Sequence, residues 1–259
     1  MSAPNFEIIE GAPESSVILH VPHSARTIPS EIRSQLLLDD LALAAELDEM
    51  TDSRTDELAN SAGSLAKIKP WIFHNLLSRL VFDPERFPDD REVMNQIGMG
   101  VVYQRSSLGA QLRLHDPIRD SAMIEEFFHP YAQAFDSLVR QVLHARGAVT
   151  IIDVHSYRME EHHNGINKGQ RRPPLCLGVD DFHTPPWLLQ MSTSAFSEIG
   201  EVIINEPYAG TYVPLSLYQR ESQVTSVMME NREDGLVGGK IATAARALAE
   251  LINGIERSR

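Results

Sequence analysis

Short apolar runs alternate along this chain with longer stretches of helical pattern, and a polar residue able to do chemistry stands at the end of several of those runs. Val17–Val21 reads as a buried strand closed by Pro22, with His23 at its carboxyl end. Residues 148–153 form the strongest buried strand, and His155 follows it. Residues 66–73, 80–82, 175–179, 202–204 and 225–229 are further candidate strands; Asp83 follows the second of these and Glu230 the last. Residues 32–62 read as helix in two parts, with Thr51 or Asp52 as a plausible N-cap of the second. Residues 117–146 form a long helical stretch closed by Gly147, and residues 186–199 and 240–255 are also helical. Residues 83–107 and 162–174 carry the glycine, proline and polar residues of loops. This order predicts an α/β fold of three layers, a mixed, mostly parallel sheet with helices on both faces. In such sheets ligands bind beyond the carboxyl ends of the strands, where His23, Asp83, His155 and Glu230 fall.

The 259 residues show no repeat, low-complexity tract or linker, so a single domain over 1–259 is expected. The single cysteine, Cys176, excludes an intrachain disulfide. The first residues lack a basic segment followed by an apolar one, and no run reaches the length of a membrane span. A cytoplasmic protein without membrane partners is therefore expected. The formal net charge of −13 opposes nucleic acid at long range. It leaves room for a small anion, because a few arginines in a pocket set the local potential.

Two strand-end histidines and a carboxylate make a donor set that suits zinc with one position open. His23 and His155 are the pair; Asp52 is the preferred third ligand, with Asp48 one helical turn earlier as its competitor. The plain alternative is a histidine capping a loop and an aspartate capping a helix. Asp153 shares a strand face with His155, and either orients it or is satisfied by backbone. Glu230 is a candidate general base or a solvated strand-end residue. Arg79 and Arg86 offer guanidinium groups to a substrate carboxylate, or pair with Asp83 or Asp90. Arg158, close behind the His155 strand, is weighed above Arg171 and Arg172 as added positive charge. Ser24 and Ser156 lie beside the two histidines, but neither sits in a Gly-x-Ser-x-Gly elbow. No glycine-rich phosphate loop follows the first strand.

His-Val-Pro-His-Ser at 20–24, Asp-Glu-Met-Thr-Asp at 48–52, Ser-Arg-Leu-Val-Phe-Asp-Pro-Glu-Arg at 78–86 and Asp-Val-His-Ser at 153–156 occur in that order. With Asn-Glu-Pro-Tyr-Ala-Gly-Thr-Tyr-Val-Pro at 205–214 and the strand ending in Glu230, they resemble the N-formylglutamate amidohydrolase family over nearly the whole chain. The resemblance implies a fold similar to zinc carboxypeptidases and aspartoacylase. It implies one divalent ion, zinc or another metal, on His23, Asp52 and His155; Asp48 and Asp153 are expected around these ligands. It implies Glu230 as catalytic base, with Arg79 and Arg86 meeting the substrate carboxylate or carbonyl; Asp83, Arg158 and Tyr212 are expected around the substrate with them. That substrate is expected to be a small anionic N-acyl amino acid, N-formyl-L-glutamate first. A peptidase or peptidoglycan amidase on the same fold, and a non-catalytic binding protein, are the rival expectations. The chain departs from the family in reading Asp83-Pro-Glu-Arg86 where many members read Asp-x-Asn-Arg, and Glu49-Met50 where a Trp-His pair is common. These changes are expected to bear on substrate identity and hardly on metal ligation.

Overall fold

A computed structural model describes residues 5–259. Its strands are β1 (Phe6–Ile9), β2 (Val17–Val21), β3 (Trp71–Asn75), β4 (Val149–Tyr157), β5 (Leu175–Gly178), β6 (Val202–Ile204) and β7 (Val224–Arg232). They form one seven-stranded sheet in the order β1-β3-β2-β4-β7-β5-β6. The central strands β3, β2, β4 and β7 run parallel; β1 is antiparallel to β3, and β5 antiparallel to β7. The helices are α1 (Ser30–Arg33), α2 (Asp40–Met50), α3 (Thr55–Leu65), α4 (Pro117–Met123), α5 (His129–Arg146), α6 (Pro186–Ala195) and α7 (Lys240–Arg257). None among the described residues is long and apolar enough to cross a membrane.

The alternation of side chains along the central strands divides the molecule into two apolar layers. Leu19, Ile152, Val154, Val227 and Met229 point to one face and pack with α3, α6 and α7. Ile18, Ile151, Val149 and Val224 point to the other and pack with α5, which contributes Tyr131, Phe135, Leu138, Val139 and Val142 at helical spacing. Phe135 is fully buried there, which stabilises by about 1.5–3 kcal/mol relative to exposure. By the same parity His20, Asp153, His155 and Tyr157, with Met228 and Glu230 on β7, project to the α5 face. The polar cluster therefore sits above an apolar floor on one side of the sheet only.

Several elements differ from the sequence reading. The edge strand β1 was not anticipated. Residues 80–82 form a buried turn rather than a strand: their burial comes from packing under the following loop, without ladder pairing. The long helical stretch 117–146 is continuous but passes through a π-helical turn at Ile124–Phe128. Neither Thr51 nor Asp52 caps α3. Thr51 ends α2 in extended conformation, and Arg54, in the left-handed region at φ 64°, starts α3. The chain turns sharply between them, and Asp52 lies in that turn.

Candidate metal centre

Three parts of the chain meet where β2 and β4 end. His23 leaves β2 just after Pro22, and its carbonyl accepts a hydrogen bond from the Asp52 N–H at 3.1 Å. The Thr55 hydroxyl donates to the Asp52 carbonyl at 3.0 Å and fixes the other side of the turn. The Asp52 carboxylate is thereby aimed at β4, where the backbone N–H of Ser156 donates to Oδ2 at 3.3 Å. His155 Nδ1 lies 2.8 Å from the same oxygen, and His23 Nδ1 lies 3.8 Å from it. His23, Asp52 and His155 are all buried, and each brings a donor atom within 4.8 Å of the others.

The donor atoms fit a cation. Asp83 Oδ1 accepts from the Nε2 side of His23 at 3.0 Å, which leaves Nδ1 with its lone pair. That Nδ1 is buried and has no hydrogen-bond partner. A buried acceptor left bare costs free energy unless something positive meets it. Two imidazoles and a carboxylate around it make the nitrogen and oxygen set that zinc takes.

Asp83 is the hub of the next shell. Besides His23, it accepts hydrogen bonds from Arg79 Nη2 at 2.8 Å and the Tyr103 hydroxyl at 2.6 Å, and it forms an ion pair with Arg86, whose Nε lies 3.4 Å away. Arg79 Nη1 also reaches to 3.6 Å from Asp52 Oδ1. Burial works against charge on Asp83, but Arg79, Arg86 and His23 outweigh it and hold the carboxyl well below its usual range. Asp52 is likewise pulled down against burial by His155 and His23. Asp153 lies 3.2 Å from His155 Nε2 and 2.8 Å from His20 Nδ1, and accepts the Tyr212 backbone N–H at 3.2 Å. The His20 ring stacks on Tyr212 with centroids 4.8 Å apart, and its Nε2 bonds the Tyr131 hydroxyl at 2.7 Å. Asp153 thus sits beneath both histidines.

Glu230 stands directly opposite His155 in the β4–β7 ladder and opposite Cys176 on the other side. Its Oε2 is buried and unpartnered. Burial pushes its carboxyl up to about 8, against the attraction of His155. A carboxyl that exchanges its proton near neutrality suits a group that accepts and returns one. Glu206, in the segment 205–214, instead accepts the Arg171 N–H.

Of the expected members, one lies outside the cluster and one is already paired. Asp48 is exposed and pairs with Arg26 at 2.7 Å, so of the two helix-end acids only Asp52 enters the cluster; Asp48 is on the outer side of α2. Arg158 borders the cavity, but Glu49 and Glu233 take its guanidinium, at 3.0 and 3.9 Å. One residue enters that sequence reasoning placed outside metal ligation. Glu85 Oε1 is 3.3 Å from His155 Nε2 and Oε2 is 3.7 Å from His23 Nδ1. The signal was its place in the Asp83–Arg86 segment, between two residues already weighed. Burial opposes its charge, yet His155, His20 and His23 keep its carboxyl well below the usual range.

These groups open into one cavity of about 780 Å³. Arg79, Arg86, Arg158, Tyr212 and Glu230 line it together with His23, Asp52 and His155.

The family model for N-formylglutamate amidohydrolase matches residues 15–237. An N-formylglutamate amidohydrolase from Ralstonia eutropha JMP134 has a similar structure, with a TM-score of 0.79 at 18% identity over 99% of this chain and 98% of that one. A gene product from Agrobacterium tumefaciens is similar at a TM-score of 0.73 and 19% identity, over 99% and 96%. At these identities the likeness establishes the fold. No curated protein sequence matches the chain.

Proposed function

The chain belongs to the N-formylglutamate amidohydrolase family, and from that premise we propose that it hydrolyses the amide of a small anionic N-acyl amino acid, N-formyl-L-glutamate first, to formate and L-glutamate. The observation that carries this reading is the convergence of a buried, unpartnered His23 Nδ1 with Asp52, His155 and a buried carboxyl, Glu230, in one cavity.

His23, Asp52 and His155 would hold one divalent ion, zinc by its donor set. When bound, such an ion supplies Lewis acidity, which polarises an amide carbonyl and acidifies water. The protein's own groups do the rest. Glu230 takes a proton from the attacking water as oxygen bonds to the acyl carbon. It returns that proton to the departing nitrogen as the C–N bond breaks, so that acid and amine leave in balance. Arg79, fixed by Asp83 and Tyr103, contributes a positive charge beside the developing oxyanion. Asp83 orients His23 through Nε2 and anchors Arg86, whose guanidinium borders the space for an anionic substrate. Tyr212 closes the floor by stacking on His20, and Arg158 adds charge at the mouth.

The cavity lies in the upper part of the range for drug-sized ligands. That observation favours a second reading, a peptidase acting on a longer acyl chain. Metal analysis followed by a screen of N-acyl amino acids and short peptides for amine release tests both. We expect one metal per chain and fastest release from N-formyl-L-glutamate. Release from no N-acyl amino acid by the metal-loaded protein would overturn the proposal.

A further inference from the structure

Most arginines of the cavity are already engaged by carboxylates. Arg79 and Arg86 converge on Asp83, Arg91 pairs with Asp89, and Arg158 pairs with Glu49. Arg172 also lines the cavity, and among the described residues no carboxylate pairs with it. Its guanidinium is nevertheless held in place. Nε and Nη2 donate to the Arg158 carbonyl at 3.0 and 2.8 Å. The group lies over the Tyr157 ring at 4.8 Å from the centroid, and 5.9 Å from that of Tyr208. These contacts fix the plane and leave most of the five N–H donors uncommitted. A guanidinium so held loses little freedom on meeting an anion.

Its position follows from the strand. Tyr157 is two residues beyond His155 on β4, on the same face, which is a rise of roughly 6.6 Å. Arg232, opposite Tyr157 in the ladder, is held by Asp234 at 2.7 Å and donates to the Arg172 carbonyl at 2.7 Å; it does not line the cavity and so does not compete. Arg172 therefore stands one side-chain step past the histidine, on the side of the cavity where Glu230 faces His155. We propose that Arg172 receives a carboxylate of the substrate, one step from the scissile amide. The proposal rests on the amidohydrolase reading above and names the residue that selects the substrate's charge.

Calorimetric titration of the full chain with glutarate, and with its uncharged diamide, tests this without turnover. The wild type should prefer glutarate, and Arg172→Met should lose about 10- to 100-fold of that affinity, the range for a charge-assisted bond. Arg172→Lys, which keeps a charge but not the planar fork, should lose less, and carries the test if the Met variant fails to fold. Steady-state assay with N-formyl-L-glutamate should show the loss on KM more than on kcat. Glutarate binding unchanged in the Met variant, or no preference for glutarate in the wild type, overturns the proposal. Turnover with KM unmoved in the Met variant would leave the hydrolase reading standing and remove Arg172 from it. An Arg172-dependent glutarate preference without turnover of any N-acyl amino acid would do the reverse.

Discussion

Replacing Glu230 by Gln should make the metal-free protein more stable at alkaline pH while removing most of its activity. The side chain is 7% exposed and lies among other carboxylates. Its carboxyl moves from an ordinary 4.5 up to about 8, chiefly through burial. Because the folded value is raised, the proton is held more tightly in the native state. The contribution to stability is full below pH 4.5 and is lost as pH rises through about 8. The whole shift corresponds to about 5 kcal/mol, of which about 3 kcal/mol falls between pH 5.5 and 8.5. Gln keeps the volume and carries no charge, so the variant escapes this loss. Urea unfolding of both proteins in chelator, at pH 5.5 and 8.5, reads the difference directly. The gap in unfolding free energy should move in the variant's favour by about 3 kcal/mol across that range. In the metal-loaded proteins kcat should fall by roughly 10²–10⁴, with metal content unchanged. Parallel pH dependence of stability would refute the burial argument, and full kcat would refute the role as base.

Glu85→Gln should weaken zinc affinity by about 10- to 100-fold, the usual effect of an outer partner of a ligand histidine, measured by chelator competition; wild-type affinity would show that Glu85 is indifferent to His155. Tyr131→Phe removes the hydroxyl bonded to buried His20 Nε2 and should cost about 1–3 kcal/mol in urea unfolding; an unchanged midpoint would mean that His20 finds another partner. Cys176 is buried, its thiol donates to the Tyr208 carbonyl, and burial pushes it up to about 11. It should resist thiol reagents at pH 8 until the protein unfolds, and rapid native labelling would contradict this placement.

β2 and β4 were legible because they are buried on both faces and begin as apolar runs, whereas the run at 66–73 overlaps the half-buried β3 (Trp71–Asn75) only in its last three residues. β2 was bounded to the residue, and β4 was marked by Val-Thr-Ile-Ile before the polar Asp153. β1 was not legible, since a half-exposed edge strand of four residues has neither a full apolar run nor clean alternation. The run at 80–82 misled because burial and pairing are separate properties, and apolar pattern reports only the first. In the site, strand-end placement pointed to His23, His155 and Glu230. Asp52 and Asp48 could not be separated by helical spacing, because the chain leaves the helix between them. Glu85 and Arg172 come from loops. Neither has a periodicity to betray it, and what distinguishes each is the presence or absence of a partner distant in sequence. Resemblance supplied roles that position alone left open, but it put Glu85 with the substrate rather than with the histidines.

The turn that carries Asp52 gives the centre two grades of rigidity. His155 and Glu230 are cross-strand neighbours, so their spacing is set by the pitch of a ladder and can change only by breaking it. Asp52 is hung from a short link between two helices, tied to the sheet chiefly by one N–H to the His23 carbonyl and by its carboxylate. Reactivity and ion retention are thereby built on different hardware. Drift in residues 51–54 can tighten or loosen the grip on a cation without disturbing the distance from ligand to base. A lineage could retune one for a new metal supply and leave the other as it was.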